Sequence, residues 1–347
     1  MSIRSAALVL AAALFTATGA QAQTQTYLMM PDSTNNRVAL FDPTTGALVN
    51  EAYFALAGGT PVHAMQVGNE IWVSEQIGDR VSRWSLTGES LGAITGGMDN
   101  IRGMGVVGNV VYVTNAGTNN GAPGANAVVM FDTAGTSQGN FLTTGLCNSP
   151  FGILPHQGGI LISGSSNNQD VHRFTLTGDT LGTFHNTTSI SFAEQLDHDL
   201  NGDVLVACFT TGGVSRLNKD TGDLIDSIPA PGARGVHQLP NGDVMWTSGA
   251  GVFVWDHTAN VSNNVYVGGG RYLDFLTIGS TPACGTSDFN GDGDFGTDQD
   301  IEAFFACLAG NCCATCWQGG SDFNGDGDFG TDQDIESFFR VLGGGNC

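Results

Sequence analysis

Residues 71–95 read IWVSEQIGDRVSRWSLTGESLGAIT, and the rest of the chain is organised around this pattern. An apolar strand, Ile71-Trp72-Val73, gives way to a polar turn. A second strand, Val81-Ser82-Arg83-Trp84, follows, then a Thr87-Gly88 turn and a third short strand. β-Branched and aromatic residues between Gly-containing turns mark strands, because they suit a pleated, half-covered surface. The unit recurs about every 44 residues. Its leading strand returns as Tyr27-Leu28-Met29, Val111-Tyr112-Val113, Ile160-Leu161-Ile162, Val204-Leu205-Val206 and Val244-Met245-Trp246. Its second strand returns as Val171-His172-Arg173-Phe174 and Val214-Ser215-Arg216-Leu217, and its turn as Thr177-Gly178 and Thr221-Gly222. A fourth strand begins at Val62, Ile101, Phe151, Phe192, Ala233 and Arg271.

Six such units predict an all-β fold, a six-bladed β-propeller over residues 23–280. One blade alone would leave strand edges open, whereas a closed ring packs every blade between two neighbours. Closure is expected to pair the stretch around Tyr27 with residues 272–278. Fifty-one glycines against few Lys, Arg or Glu also disfavour a helical bundle. The pattern resembles the six-bladed propellers of the NHL-repeat and streptogramin-lyase-like kind. That resemblance concerns the fold and implies no function.

Aligned at the start of the fourth strand, the six units place His63, Arg102, Phe151, Glu194, Arg234 and Arg271 around the central channel. Three of these are arginines, in a chain with only 11 Lys+Arg against 33 Asp+Glu. Such a ring would attract a polar or anionic ligand; alternatively it ties blades together through loop carbonyls and carboxylates, with Glu194 as a partner. Arg83, Arg173 and Arg216 alternate with apolar neighbours and read as a solvated face. Asp197-His198-Asp199 leads into the turn Asn201-Gly202-Asp203 and reads as a polar loop between blades, since consecutive strand residues point to opposite faces. Neither His-Glu-x-x-His nor a phosphate-cradling loop occurs. Lactonase-like propellers hold a metal with Glu, Asp and Asn, and one acid among three arginines departs from that set.

The formal charge of −22 excludes nucleic acid and anionic membranes as expected partners. At the N-terminus Arg4 precedes an apolar run, Ala6 to Phe15, and Ala20-Gln21-Ala22 offers a cleavage site. Residues 1–22 therefore read as a signal peptide, and the protein as secreted or held at the cell surface. No stretch is long and apolar enough for a membrane span. Export makes disulfides the expected state of the six cysteines at 284, 307, 312, 313, 316 and 347, whose pairing the spacing leaves open. Cys147 and Cys208 are expected either to pair or to stay buried.

Residues 284–347 form a second region, with twelve Asp and Glu against a single Arg. The string SDFNGDGDFGTDQDIE occurs twice in it, at 287–302 and 321–336. Oxygen-bearing side chains alternate with small residues, and a glycine allows the sharp turn, as a calcium loop requires. After each loop Ile301, Phe304, Phe305, Leu308 and Ile335, Phe338, Phe339, Leu342 follow the i, i+3, i+4, i+7 spacing of one helical face. The two stripes are expected to bury against one another. This tandem loop–helix arrangement resembles the dockerin family, whose members bind cohesin modules of a scaffold or cell surface. The resemblance implies two Ca²⁺ ions. One would be held by Asp288, Asn290, Asp292 and the Asp294 carbonyl, the other by Asp322, Asn324, Asp326 and the Asp328 carbonyl. Gln299 and Gln333 occupy the family's twelfth position, so Asp300 and Asp334 are taken as closing ligands of loops one residue longer.

The combined expectation is an exported, non-catalytic propeller that binds a polar or anionic ligand. Its tail would be anchored to a cohesin-like or other surface protein. The alternatives are a lyase or lactonase-like enzyme using His63, Arg102, Glu194, Arg234 and Arg271, and a purely structural surface component.

Overall fold

The computed structural model describes residues 24–347 except 144, 167–169, 279–284, 318, 326–327 and 346–347. The expected signal peptide, Cys284, Cys347 and Asp326 lie outside the described residues. Residues Thr26–Thr277 form one compact unit, and Ile278–Cys347 belong to another.

The larger unit is the six-bladed propeller, built of six four-stranded antiparallel sheets. The sheets are displaced by one strand from the sequence repeat. The fourth strand of each unit pairs with the first strand of the next, as Pro61–Val67 does with Glu70–Glu75. Turn chemistry explains the offset. Two-residue turns at Gly68-Asn69 and Gly108-Asn109 join those strands, with Gly68 and Gly108 at φ near +59° and +58°. This tight hairpin geometry matches the twist of the strands on either side.

The six strands Pro61–Val67, Ile101–Val107, Pro150–His156, Ser191–His198, Gly235–Gln238 and Asp274–Ile278 lie next to one another around the axis. Asp274–Ile278 pairs with Gln25–Asp32, so the two ends of the propeller segment close blade one, as expected. Between blades the core is apolar. Trp72 and Val81 of blade two, for instance, pack with Met98, Ile101, Met104 and Val129 of blade three.

The smaller unit holds two helices, α1 (Asp298–Leu308) and α2 (Asp332–Leu342). Thr297 and Thr331 cap them, each in a reciprocal capping box with Asp300 or Asp334 at the third helical position. Phe304 and Phe338 are fully buried and stacked at 4.1 Å. The stripes are narrower than their spacing predicts, because Phe305 and Phe339 stay 43% and 46% exposed. Phe289 and Phe323, from the loops, fill the core in their place with 0% exposure. Cys307 bonds to Cys312 and Cys313 to Cys316, while Cys147 and Cys208 are buried thiols. No helix among the described residues is long and apolar enough to cross a membrane.

Candidate functional site

A repeated hydroxyl relay positions the ring on the axis. Ser74, Thr114, Ser163 and Thr247 stand at matching places on the second strands. Their side chains donate to the backbone carbonyls of Arg102 (2.5 Å), Phe151 (2.8 Å), Glu194 (2.5 Å) and Arg271 (2.7 Å) in the next blade. The axial strands shift register at this level, between Pro61 and His63, Ile101 and Met104, and Pro150 and Ile153. Such bulges re-aim side chains. The Arg234 carbonyl accepts instead from the Gln195 N–H at 3.2 Å.

This register corrects one ring member. The Val62 carbonyl accepts from the Tyr272 N–H, which makes Val62, not His63, the counterpart of Arg102, Phe151, Glu194, Arg234 and Arg271. One residue along, His63 corresponds to Gly103, Gly152 and Gly235. At those glycines an added Cβ would run into the Phe151, Glu194 and Arg271 carbonyls. His63 is a structural link instead. Its Nδ1 accepts from the Met104 N–H at 3.0 Å, so its Nε2–H donates to Asp274 at 3.1 Å.

The ring proper combines apolar and charged members. Val62, Phe151 and Tyr272 cluster with Phe192. Phe192 holds φ at +57°, in the left-handed region that the matching residues Thr60, Asn100, Ser149 and Gly232 of four other blades also occupy, so this turn belongs to the repeat. Arg102 stands between Val62 and Phe151 in blade order, and Glu194, Arg234 and Arg271 follow Phe151. Arg102 covers the Phe151 ring at 3.7 Å and donates through Nη1 to Ser149 Oγ and the Ser149 and Pro150 carbonyls, a link to blade four. Arg271 Nε donates to Ser33 Oγ at 3.0 Å. Arg234 rests over Phe209 at 5.3 Å and makes no side-chain hydrogen bond or ion pair among the described residues.

Four buried atoms here lack any hydrogen-bond partner among the described residues: Glu194 Oε2, Arg102 Nε, Arg234 Nε and Tyr272 Oη. Burial pushes the Glu194 carboxyl up to about 7, against the pull of Arg271, Arg234 and Arg102. Burial also lowers Arg102 to about 10 and drives the Tyr272 phenol well above its ordinary value. The charged groups thus sense one another, yet Glu194 forms no ion pair with any arginine among the described residues.

Further along the same strands the axis opens into a pocket of about 220 Å³, whose lining includes His63, Asp197, His237 and Asp274, with Gln66, Gln195 and apolar side chains. His237 Nδ1 meets Asp197 at 2.7 Å. Asp197 and His198 belong to the strand Ser191–His198 and not to a loop as the turn motif predicts. The three residues diverge, in keeping with strand alternation. Asp197 reaches His237, His198 reaches His156 at 2.9 Å, and Asp199 pairs with Arg216 at 2.8 Å. The second arginine set is likewise engaged rather than merely solvated. Arg83 grips Glu70 through two 2.7 Å bonds and reaches the Ala134 carbonyl of blade three, and Arg173 reaches the Asp220 carbonyl of blade five. Sequence spacing carries no signal for the Asp197–His237 pair, because 40 residues and a whole blade separate the partners.

In the tail, the acidic loops fold on themselves. Asp288 accepts from the N–H groups of Asp292 and Gly293, Asn290 from Asp292, and Asp292 from Asp294. Asp300 is fully buried and accepts from the Asn290 and Thr297 N–H groups; these bonds hold its carboxyl below the ordinary value despite burial. Asp298 is exposed. Asp334 repeats the Asp300 contacts with Asn324 and Thr331. Oxygen groups drawn together at one loop, with a buried carboxylate at the helix start, fit a hard cation.

No family model and no curated protein sequence matches the chain. Solved structures do. A protein in the crystal structure of a nidogen/laminin complex aligns at TM-score 0.59 and 12% identity, covering 72% of this chain and 98% of that one. A protein of unknown function from Bacteroides caccae aligns at TM-score 0.52 and 15% identity, covering 72% and 98%. A catalytically inactive virginiamycin B lyase from Staphylococcus aureus, solved with quinupristin, aligns at TM-score 0.51 and 14% identity, covering 73% and 96%. At such identities the likeness is one of fold: the chain is a six-bladed propeller with streptogramin-lyase-like structural neighbours.

Proposed function

We propose that this chain is an exported binding protein whose propeller takes an anionic ligand at Arg102, Arg234 and Arg271. The quartet of buried, unpartnered polar atoms on the axis carries the reading. Each such group costs about 1–3 kcal/mol unless something satisfies it, and a ligand with several oxygens would satisfy the arginine donors together. Titration calorimetry of the full chain with sulfate and with succinate tests it. Arg234→Gln should abolish heat of binding while leaving stability within about 0.5 kcal/mol, because the Arg234 side chain makes no hydrogen bond or ion pair among the described residues. A loss of several kcal/mol, or no binding by the wild type, would make the ring a blade link and sink the reading.

The tail completes the proposal as a calcium-dependent anchor to a cohesin-like or other surface protein. Calcium would neutralise the loop carboxylates, with Asp288, Asn290, Asp292, Asp294 and Asp300 in one set and Asp322, Asn324, Asp326, Asp328 and Asp334 in the other. The half-exposed pair Phe305 and Phe339, 6.2 Å apart, and the exposed Phe295 and Phe329 supply apolar contact area for such a partner. Retention of the full chain on cell surfaces that is lost with chelator would support the anchor; retention unaffected by chelator would exclude it.

A second reading, an acid–base enzyme, is favoured by Asp197–His237. A carboxylate on Nδ1 leaves the other ring nitrogen as a base beside the pocket. Ester and lactone turnover that is lost in His237→Asn would support it, and no turnover would exclude it.

A further inference from the structure

We propose that the arginine ring takes up a dianion together with one proton, and that Glu194 is the group that receives the proton. The inference rests on the ring being an anion site and adds how that site is regulated. Its starting point is the charge arrangement on the axis. Arg102, Arg234 and Arg271 supply three positive charges and Glu194 one negative charge. The neutral Tyr272 phenol also senses Glu194, and Tyr272 packs with the apolar Val62, Phe151 and Phe192. Cys147, next to Arg102, is a buried thiol whose titration burial pushes upward, so it stays neutral.

An ionised carboxylate can only accept hydrogen bonds, and so can a sulfate or a dicarboxylate. Two acceptor-only groups in one buried ring repel each other and compete for the same guanidinium donors. Glu194 is 3% exposed, its Oε2 has no partner among the described residues, and it makes no ion pair that would fix it as a carboxylate. A proton on Glu194 removes the repulsion and turns an acceptor into a donor for the incoming oxygen. The balance is simple: site, dianion and one proton from solvent give the complex, with no bond broken beyond transfer of that proton. The carboxyl already titrates at about 7, raised by burial, so the proton is available near neutrality. As pH rises past that value the free site loses its proton, and binding must then recover it from solvent.

Sulfate is the suitable probe, because its own charge is constant between pH 5.5 and 9. Calorimetric titration of the full chain, at fixed ionic strength and in buffers of differing ionisation enthalpy, should show uptake of about one proton per sulfate above pH 7. Affinity should fall about tenfold per pH unit there. Glu194→Gln should bind sulfate with no pH dependence, at least as tightly as wild type at pH 6. Wild-type affinity unchanged from pH 6 to 8.5, with no proton uptake, would overturn the coupling. If Arg234→Gln still abolishes that pH-independent binding, the anion site survives without it. No sulfate binding at any pH would remove the site as well. The proton count is read on the wild type, so it does not depend on how well the variants fold.

Discussion

Gly178 lies against the Phe141 ring, with its backbone at φ +92° and no room for a β-carbon. Gly178 belongs to the Thr-Gly turn of blade four and Phe141 to the outer strand of blade three. The same turn brings Gly88 to Phe54 and Gly222 to the Phe184 backbone, each in the preceding blade. A motif that reads as a simple turn signal is therefore also where one blade seats on the next.

Replacing Gly178 with Ala should cost about 3 kcal/mol or more, since a left-handed backbone penalty adds to overlap with a packed ring. Gly182, at φ +96° with open space around its Cβ position, is the control and should cost about 1–2 kcal/mol. Urea unfolding of the two variants decides it; equal costs would mean that the Phe141 contact contributes nothing.

Acid should loosen the link between blades four and five. His156 Nε2 must donate to the Lys219 carbonyl, at 2.8 Å, so its Nδ1 accepts from His198 Nε2–H. Burial and the neighbouring His156 lower the His198 pKa from the ordinary 6.5. With the folded value depressed, the unfolded chain binds the proton first. The contribution is intact above pH 6.5 and is lost as pH falls below it. Denaturation midpoints between pH 7.5 and 5 should therefore decline, and His198→Gln should decline less steeply. Parallel curves would show that His198 takes up its proton at the same pH in the folded and unfolded chain.

Chelation of the full chain should remove the helical circular dichroism of α1 and α2 and leave the strand signal of the propeller in place. Asp300→Asn with Asp334→Asn should weaken calcium binding at least tenfold, because both buried carboxylates face their loops. Helix signal indifferent to chelator contradicts a metal-dependent tail.

Phe338→Ala should cost the tail about 3–5 kcal/mol, as expected for a fully buried aromatic ring. Phe339→Ala, one position on but 46% exposed, should cost under about 1 kcal/mol. Thermal melts that resolve the tail transition from the propeller transition measure both. A similar loss in the two variants would mean that the helical face is wrongly placed.

The limits of the sequence reading show at particular residues. The period and the Gly turns revealed blade count and closure, because each blade is a local unit whose strands follow directly in the chain. Val62 was hidden behind His63, since alternation sends neighbouring side chains to different sides and an alignment one residue off picks the wrong one. The hydroxyls of Ser74, Thr114, Ser163 and Thr247 were the available signal, and they mark the correct register. Phe289 and Phe323 carry no core signal in the sequence, because they sit among loop carboxylates, where no helical period applies.

The chain order by itself determined six blades, the seam joining the segment after Arg271 to the segment near Tyr27, and two acidic loops that each lead into a helix. These depend on contacts between residues close in sequence or repeated at one interval. Only the tertiary structure decided that Glu194 faces three arginines without pairing with any, that Asp197 meets His237, and that Arg83 and Arg173 bridge blades. Those relationships join residues from different blades, and which residues meet is set by bulges and register, which a linear pattern of apolar and polar residues does not encode.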